Sequence, residues 1–153
     1  MKAVITPSPA SLLGHGPEAV LLERIDSTGE GHLTASMTVR PDTPYSLQDG
    51  SLAAWAGPEL MAQAISALAN LEAGAQNAGT IGLLLGVRDY RAAGAEFPIG
   101  ARLSVEVIES TRDEDGRGVF DCRILQEDLV VAEGRLTVFR PADAWLILGE
   151  QAK

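Results

Sequence analysis

Cysteine occurs once in the 153 residues, at Cys122, so no internal disulfide can form and a reducing compartment is expected. Histidine occurs twice, at His15 and His32, and no two histidines or cysteines have metal-ligand spacing; neither a metal nor a cofactor is expected. Lysine and arginine together number 12 against 21 aspartates and glutamates, a net charge of −9. Phosphate binding needs a basic face, so this balance excludes nucleic acid as a partner. Ser8, Ser11 and Ser46 lie in no Gly-x-Ser-x-Gly context, which gives no support for a serine hydrolase. Long apolar runs are also missing. The strongest candidate, 52–71, is interrupted by Glu59, Gln63, Ser66 and Asn70 and contains many alanines, so it reads as a buried helix rather than a membrane span. The segment 1–7 has no sustained apolar run and no secretory cleavage pattern, which makes the cytoplasm the expected location.

What is present is one domain's worth of ordinary globular sequence, expected to span 1–153. Gly14-His15-Gly16-Pro17 reads as a turn into a first strand over Ala19 to Ile25, and Ser27 to Gly31 as the next turn. Leu33, Ala35, Met37 and Val39 then alternate with His32, Thr34, Ser36 and Thr38, the period of a half-buried strand. Pro41 and Pro44 end it, because proline cannot continue a central ladder. From Gly57-Pro58 to about Ala73 the residues are mostly alanine, leucine and methionine. Glu59, Gln63, Ser66 and Asn70 form one narrow polar stripe. Strands are expected at Thr80–Tyr90, Arg102–Ser110, Val119–Gln126 and Val130–Phe139. The turn Arg112–Gly118 joins the second and third of these. Two strands, a buried helix and four strands predict an α+β fold with a curved antiparallel sheet of about six strands wrapped around a long central helix. The open sheet edges favour a dimer.

Glu59-Leu60-Met61-Ala62-Gln63-Ala64 resembles the Glu-Ala-Met-Ala-Gln helix motif of the hotdog-fold 3-hydroxyacyl-ACP dehydratases. Leu12-Leu13-Gly14-His15-Gly16-Pro17 followed by Val20–Ile25 is similar to that family's opening turn and strand. Gly86-Val87-Arg88-Asp89-Tyr90-Arg91, with Phe97-Pro98-Ile99-Gly100 behind it, resembles its later arginine–aromatic strand and turn. Within the family, Leu52–Gln63 looks most like the shortened dehydratase-like subunits of aryl-polyene biosynthesis. The resemblance implies a hotdog fold and an acyl thioester ligand carried on acyl carrier protein or CoA. It also implies a homodimer, or a heterodimer with a histidine-bearing homologous dehydratase subunit. Docking an acidic carrier protein on so acidic a chain requires a local basic patch, supplied either by Arg88, Arg91 and Arg102 or by another subunit.

The sequence departs from the family at one point of chemical consequence. The family's catalytic histidine belongs to a loop that here reads Pro44-Tyr45-Ser46-Leu47-Gln48-Asp49-Gly50-Ser51. Ungapped counting puts Tyr45 at the position, and a shorter loop puts Asp49-Gly50 there. The family's Pro-Gly before the helix reads Ala53-Ala54, which implies an altered backbone oxyanion site. Dehydration needs a base for the α-proton and an acid for the departing hydroxyl. Glu59 supplies the family's carboxylate, the expected catalytic residue, unless it only caps the helix. Gln63 either orients Glu59 or bonds across a dimer seam. Trp55 either walls an acyl tunnel or fills the core. Gly57, Arg88 and Tyr90 complete the expected substrate-binding set, with a structural role for Arg88 and Tyr90 as the alternative. His15 and His32 read as structural and solvated, and Cys122 as a buried strand residue. Three functions follow: a dehydratase-type subunit working with a catalytic partner, a thioesterase using Glu59 alone, and a non-catalytic acyl-thioester sensor or scaffold.

Overall fold

The computed structural model describes residues 8–9, 19–73 and 83–139. Six antiparallel strands form one sheet in the order β1 (Arg24–Gly29), β2 (His32–Thr38), β6 (Arg102–Arg112), β7 (Arg117–Gln126), β8 (Leu129–Phe139), β4 (Leu83–Ala92). A second, two-stranded ladder pairs β3 (Leu52–Ala53) with β5 (Glu96–Phe97). The helix α1 (Gly57–Ala73) lies against the inner face of the large sheet, touching β2, β6, β7, β8 and β4. This is the expected hotdog arrangement.

Alternation of apolar and polar side chains sets the sheet's two faces. Leu33, Ala35, Met37, Leu103, Val105, Val107, Phe120, Cys122, Ile124, Ala132 and Leu136 are all buried and point at the helix. Each side chain of this size buried on folding stabilises by about 1.5–3 kcal/mol for Val, Leu, Ile or Phe. The helix answers with Leu60, Met61, Ala64, Ile65, Ala67 and Leu68. Its alanines, leucines and methionine are strong helix formers. Pro58 at the second helical position costs no hydrogen bond, since the first-turn N–H groups have no intrahelical partner.

Tight turns close the hairpins. Glu127 and Asp128 join β7 to β8 with φ of 50° and 66°, the left-handed pair of a two-residue type I′ loop. Between β6 and β7, the Asp113 carboxylate accepts from the N–H groups of Asp115 and Arg117, and Gly116 takes a φ of 95°.

The helix bounds, the fold class and the later strands agree with the sequence reading. The first strand does not. Val20, Leu21 and Leu22 are buried but lie outside any strand, and β1 begins at Arg24 and runs through Ser27 to Gly29. The turn is thereby confined to Glu30-Gly31, with φ of 72° at the glycine. The expected turn at Gly14–Pro17, with His15, and the residues 80–82 lie outside the described residues. No helix among the described residues is long and apolar enough to cross a membrane.

Candidate active site at the start of the central helix

The first turn of α1 is held from three sides. The β3–β5 ladder pairs Leu52 with Phe97, and the Ala54 N–H donates to the Ala95 carbonyl at 2.9 Å. A 3₁₀ turn over Ala54–Ala56 then leads into Gly57. The third contact comes from β4, where Asp89 adopts a φ of 54° inside an irregularity between Arg88 and Arg91. That bulge turns Tyr90 inward, and its hydroxyl donates to the Ala54 carbonyl at 2.6 Å. Burial pushes the Tyr90 phenol up to about 12, so it remains a donor throughout the neutral range.

Gly57 makes this contact possible. A Cβ there would overlap the Tyr90 hydroxyl and stand 2.7 Å from its Cζ. Gly57→Ala is therefore expected to destabilise the fold by about 1–3 kcal/mol through overpacking. In a Tyr90→Ala background the same change should cost close to nothing, because the colliding ring is gone. A urea-denaturation double-mutant cycle measures the difference; equal costs in both backgrounds would contradict the contact.

Gln63, 1% exposed, organises the next turn. Its Oε1 accepts from the Leu21 N–H at 2.9 Å and the Leu22 N–H at 3.4 Å. Its Nε2 donates to the Ala19 carbonyl at 2.8 Å and to Glu59 Oε1 at 3.1 Å. Gln63 thus donates to Glu59, and its other bonds join the helix to the segment 19–22. Glu59 is half-buried, one helical turn before Gln63 and near the positive end of the helix dipole.

Across from Glu59 stands Tyr45, which the sequence marked only as a counting position. Its phenol is pushed above the ordinary range, first by burial and second by the negative charge of Glu59. The loop carrying it is cross-tied. Ser46 Oγ donates to the Arg40 carbonyl at 3.1 Å and lies 2.8 Å from Thr43 Oγ1, which accepts from the Tyr45 N–H. Leu52 bridges Ser46, and the Ala53 N–H reaches the Tyr45 carbonyl at 3.4 Å. The signal that could have found Tyr45 is this density of Ser and Thr around two prolines, a recipe for a rigid turn.

Trp55 is 67% exposed, so it does not fill the chain's own core; its ring meets Tyr45 edge to face at 5.8 Å. Tyr45 is thus paired with an exposed tryptophan ring and feels the charge of Glu59. Asp49, the other counting position, is committed locally: hydrogen bonds from the Ser51 hydroxyl and N–H hold its carboxyl below the usual range. Arg88 is exposed on β4, and among the described residues no carboxylate pairs with it. Of the other patch candidates, Arg91 pairs with Glu133 at 3.2 Å and Arg102 lies 3.5 Å from Ser36 Oγ.

His32 begins β2 with its side chain exposed, beside the inward-pointing Leu33, and therefore on the sheet face turned away from α1. Cys122 is buried under the helix, and burial first and Asp121 second push its thiol up to about 12. It is an inert core residue at neutral pH. Among the described residues no group of three histidine, cysteine or acidic side chains could hold a metal ion.

The sequence model of the ApeP-like family, described as ApeP dehydratase, matches residues 7–148. The chain belongs to the ApeP-like dehydratase family. Among solved structures, the dehydratase heterocomplex ApeI:P from Xenorhabdus doucetiae contains a chain 29% identical to this one. It superposes with a TM-score of 0.83 over 93% of this chain and 96% of that one. A hypothetical thioesterase with coenzyme A from Streptococcus pneumoniae is 15% identical at a TM-score of 0.60, covering 76% of this chain and 86% of its own. The PaaI protein of the Escherichia coli phenylacetic acid degradation operon is 19% identical at 0.59, covering 76% and 82%. These two share the fold. No curated protein sequence gives a significant match.

Proposed function

We propose that this ApeP-like chain is the carboxylate-bearing half of a two-chain dehydratase acting on 3-hydroxyacyl thioesters carried on acyl carrier protein. The observation that carries the reading is a carboxylate, Glu59, fixed by Gln63 at the mouth of the central helix, with no imidazole among the described residues facing it. Dehydration needs two proton-handling groups on opposite sides of the substrate's α,β bond. Glu59 serves the departing hydroxyl, and the histidine of a homologous subunit removes the α-proton. Trp55 and Tyr45 line the approach of the acyl chain, and the neutral Tyr45 phenol donates a hydrogen bond to a substrate oxygen. The similar chain in the ApeI:P heterocomplex supports a second, non-identical subunit. A cytoplasmic setting suits the single reduced thiol.

The test is an assay of 3-hydroxyacyl-ACP dehydration with the purified chain alone and co-expressed with a histidine-bearing dehydratase homologue. Turnover is expected only in the second case. Rapid turnover by the chain alone contradicts the proposal.

A further inference from the structure

The outer face of the sheet carries two rows of charge that run across the strands to β4, the outermost of the described strands. In the first, Glu106, Arg123, Glu133 and Arg91 stand opposite one another on β6, β7, β8 and β4. The signs alternate, and Arg123–Glu106 and Arg91–Glu133 close at 2.8 and 3.2 Å. In the second, Asp121, Arg135 and Arg88 stand opposite one another on β7, β8 and β4. Arg135 pairs with Asp121 at 3.0 Å, and the alternation then fails, because Arg88 faces Arg135. Like charges directly opposite each other in a ladder are unfavourable. Among the described residues Arg88 therefore has a cation on its β8 side and no strand on the other.

That flank is the edge of β4, which no described strand pairs, next to the exposed Leu84, Leu85 and Val87. An unpaired edge bordered by apolar side chains is a template for an added strand. Resting on the two-chain reading above, we propose that Arg88, with Arg91, selects a partner whose edge strand carries carboxylates on the outer face, and disfavours a second copy of this chain. The self-pairing case fails on charge. The outer-face positions of β4 in register with β8 are Gly86, Arg88 and Arg91, opposite Thr137, Arg135 and Glu133. None is acidic. The one acid of the strand, Asp89, sits in the bulge outside that register. A partner strand with Asp or Glu opposite Arg88 continues the alternation, and like-charge juxtaposition suppresses the wrong pair.

The experiment needs only this protein. Wild-type chain is mixed with an R88E/R91E variant, and association is followed by sedimentation at low and high salt. Thermal melts of the variant check its fold. The arginine edge and the glutamate edge should associate at least roughly tenfold more tightly than wild type does with itself, with the gap closing near 1 M salt. A second variant, R88A, should self-associate more than wild type, because it removes repulsion without adding charge. A monomeric wild type with no gain in either experiment overturns the charge rule and leaves the two-chain reading intact. A stable wild-type homodimer with β4 protected from hydrogen exchange overturns both.

Discussion

Glu59→Gln should reduce dehydration by the assembled two-chain enzyme by about 10²–10⁴-fold, the range a positioned acid or base contributes. It should leave the fold nearly unchanged. Glu59 is half-buried and makes one described hydrogen bond, accepted from the Gln63 amide at 3.1 Å. The glutamine carbonyl can accept that same bond, so the variant removes the proton-handling group and keeps the packing. The loss should fall on kcat rather than KM, because Glu59 meets the departing hydroxyl and not the bulk of the acyl chain. Steady-state kinetics beside a urea-denaturation curve make the separation. A fall in stability of several kcal/mol with kcat unaffected would return Glu59 to a capping role. The same variant also separates the classes of activity. If the wild type releases free thiol from acyl-CoA without a partner, and Glu59→Gln abolishes that release, the chain is a thioesterase instead.

Gln63→Ala is the variant with the largest expected effect on stability. The side chain is almost fully buried and joins the helix to the segment that precedes β1 by three hydrogen bonds to backbone. Removing it strands the Leu21 N–H and the Ala19 carbonyl in apolar surroundings, each costing about 1–3 kcal/mol, and leaves a cavity as well. A total of about 2–5 kcal/mol is expected, a large share of the about 5–15 kcal/mol that holds a typical domain together. Hydrogen exchange at Leu21 and Leu22 should accelerate before the sheet opens. Activity should fall too, since Glu59 loses the donor that orients it. A loss below about 1 kcal/mol would mean that 19–22 is held by apolar packing alone.

These two residues also show how far the sequence could be read. The helix from Gly57 to Ala73 was legible because alanine, leucine and methionine dominate it and Gly57-Pro58 mark its start. The strands β2, β6, β7 and β8 were legible because one face of each packs on the helix and period two survives in the residue order. The start of β1 was not. As an edge strand with one buried residue in six it carries almost no alternation, whereas the apolar Val20-Leu21-Leu22 beside it looks like a strand and is anchored by a side chain 41 and 42 positions away. The β3–β5 ladder is two residues long on each side, too short for any periodicity to register.

The site was legible in its acid and not in its surroundings. Glu59 and Gln63 stand four apart on a helix, so their contact follows from helical geometry. Tyr45 reaches Glu59 only through the cross-tied loop, and Tyr90 reaches Ala54 only because a bulge at Asp89 turns it inward. Backbone irregularities of this kind depend on tertiary pairing and leave no repeating pattern. Trp55, for which the sequence leaves both a tunnel wall and a core role open, is two-thirds exposed, and flanking alanines carry no signal that separates the two.

The central claim is geometric, and a structure of the chain bound to a histidine-bearing dehydratase subunit tests it most directly. The account predicts the Glu59 carboxylate at the junction of the two chains, within reach of one substrate atom or one water from the partner's imidazole, with Trp55 covered. A Glu59 side chain turned into bulk solvent, far from any residue of the second chain, would contradict it.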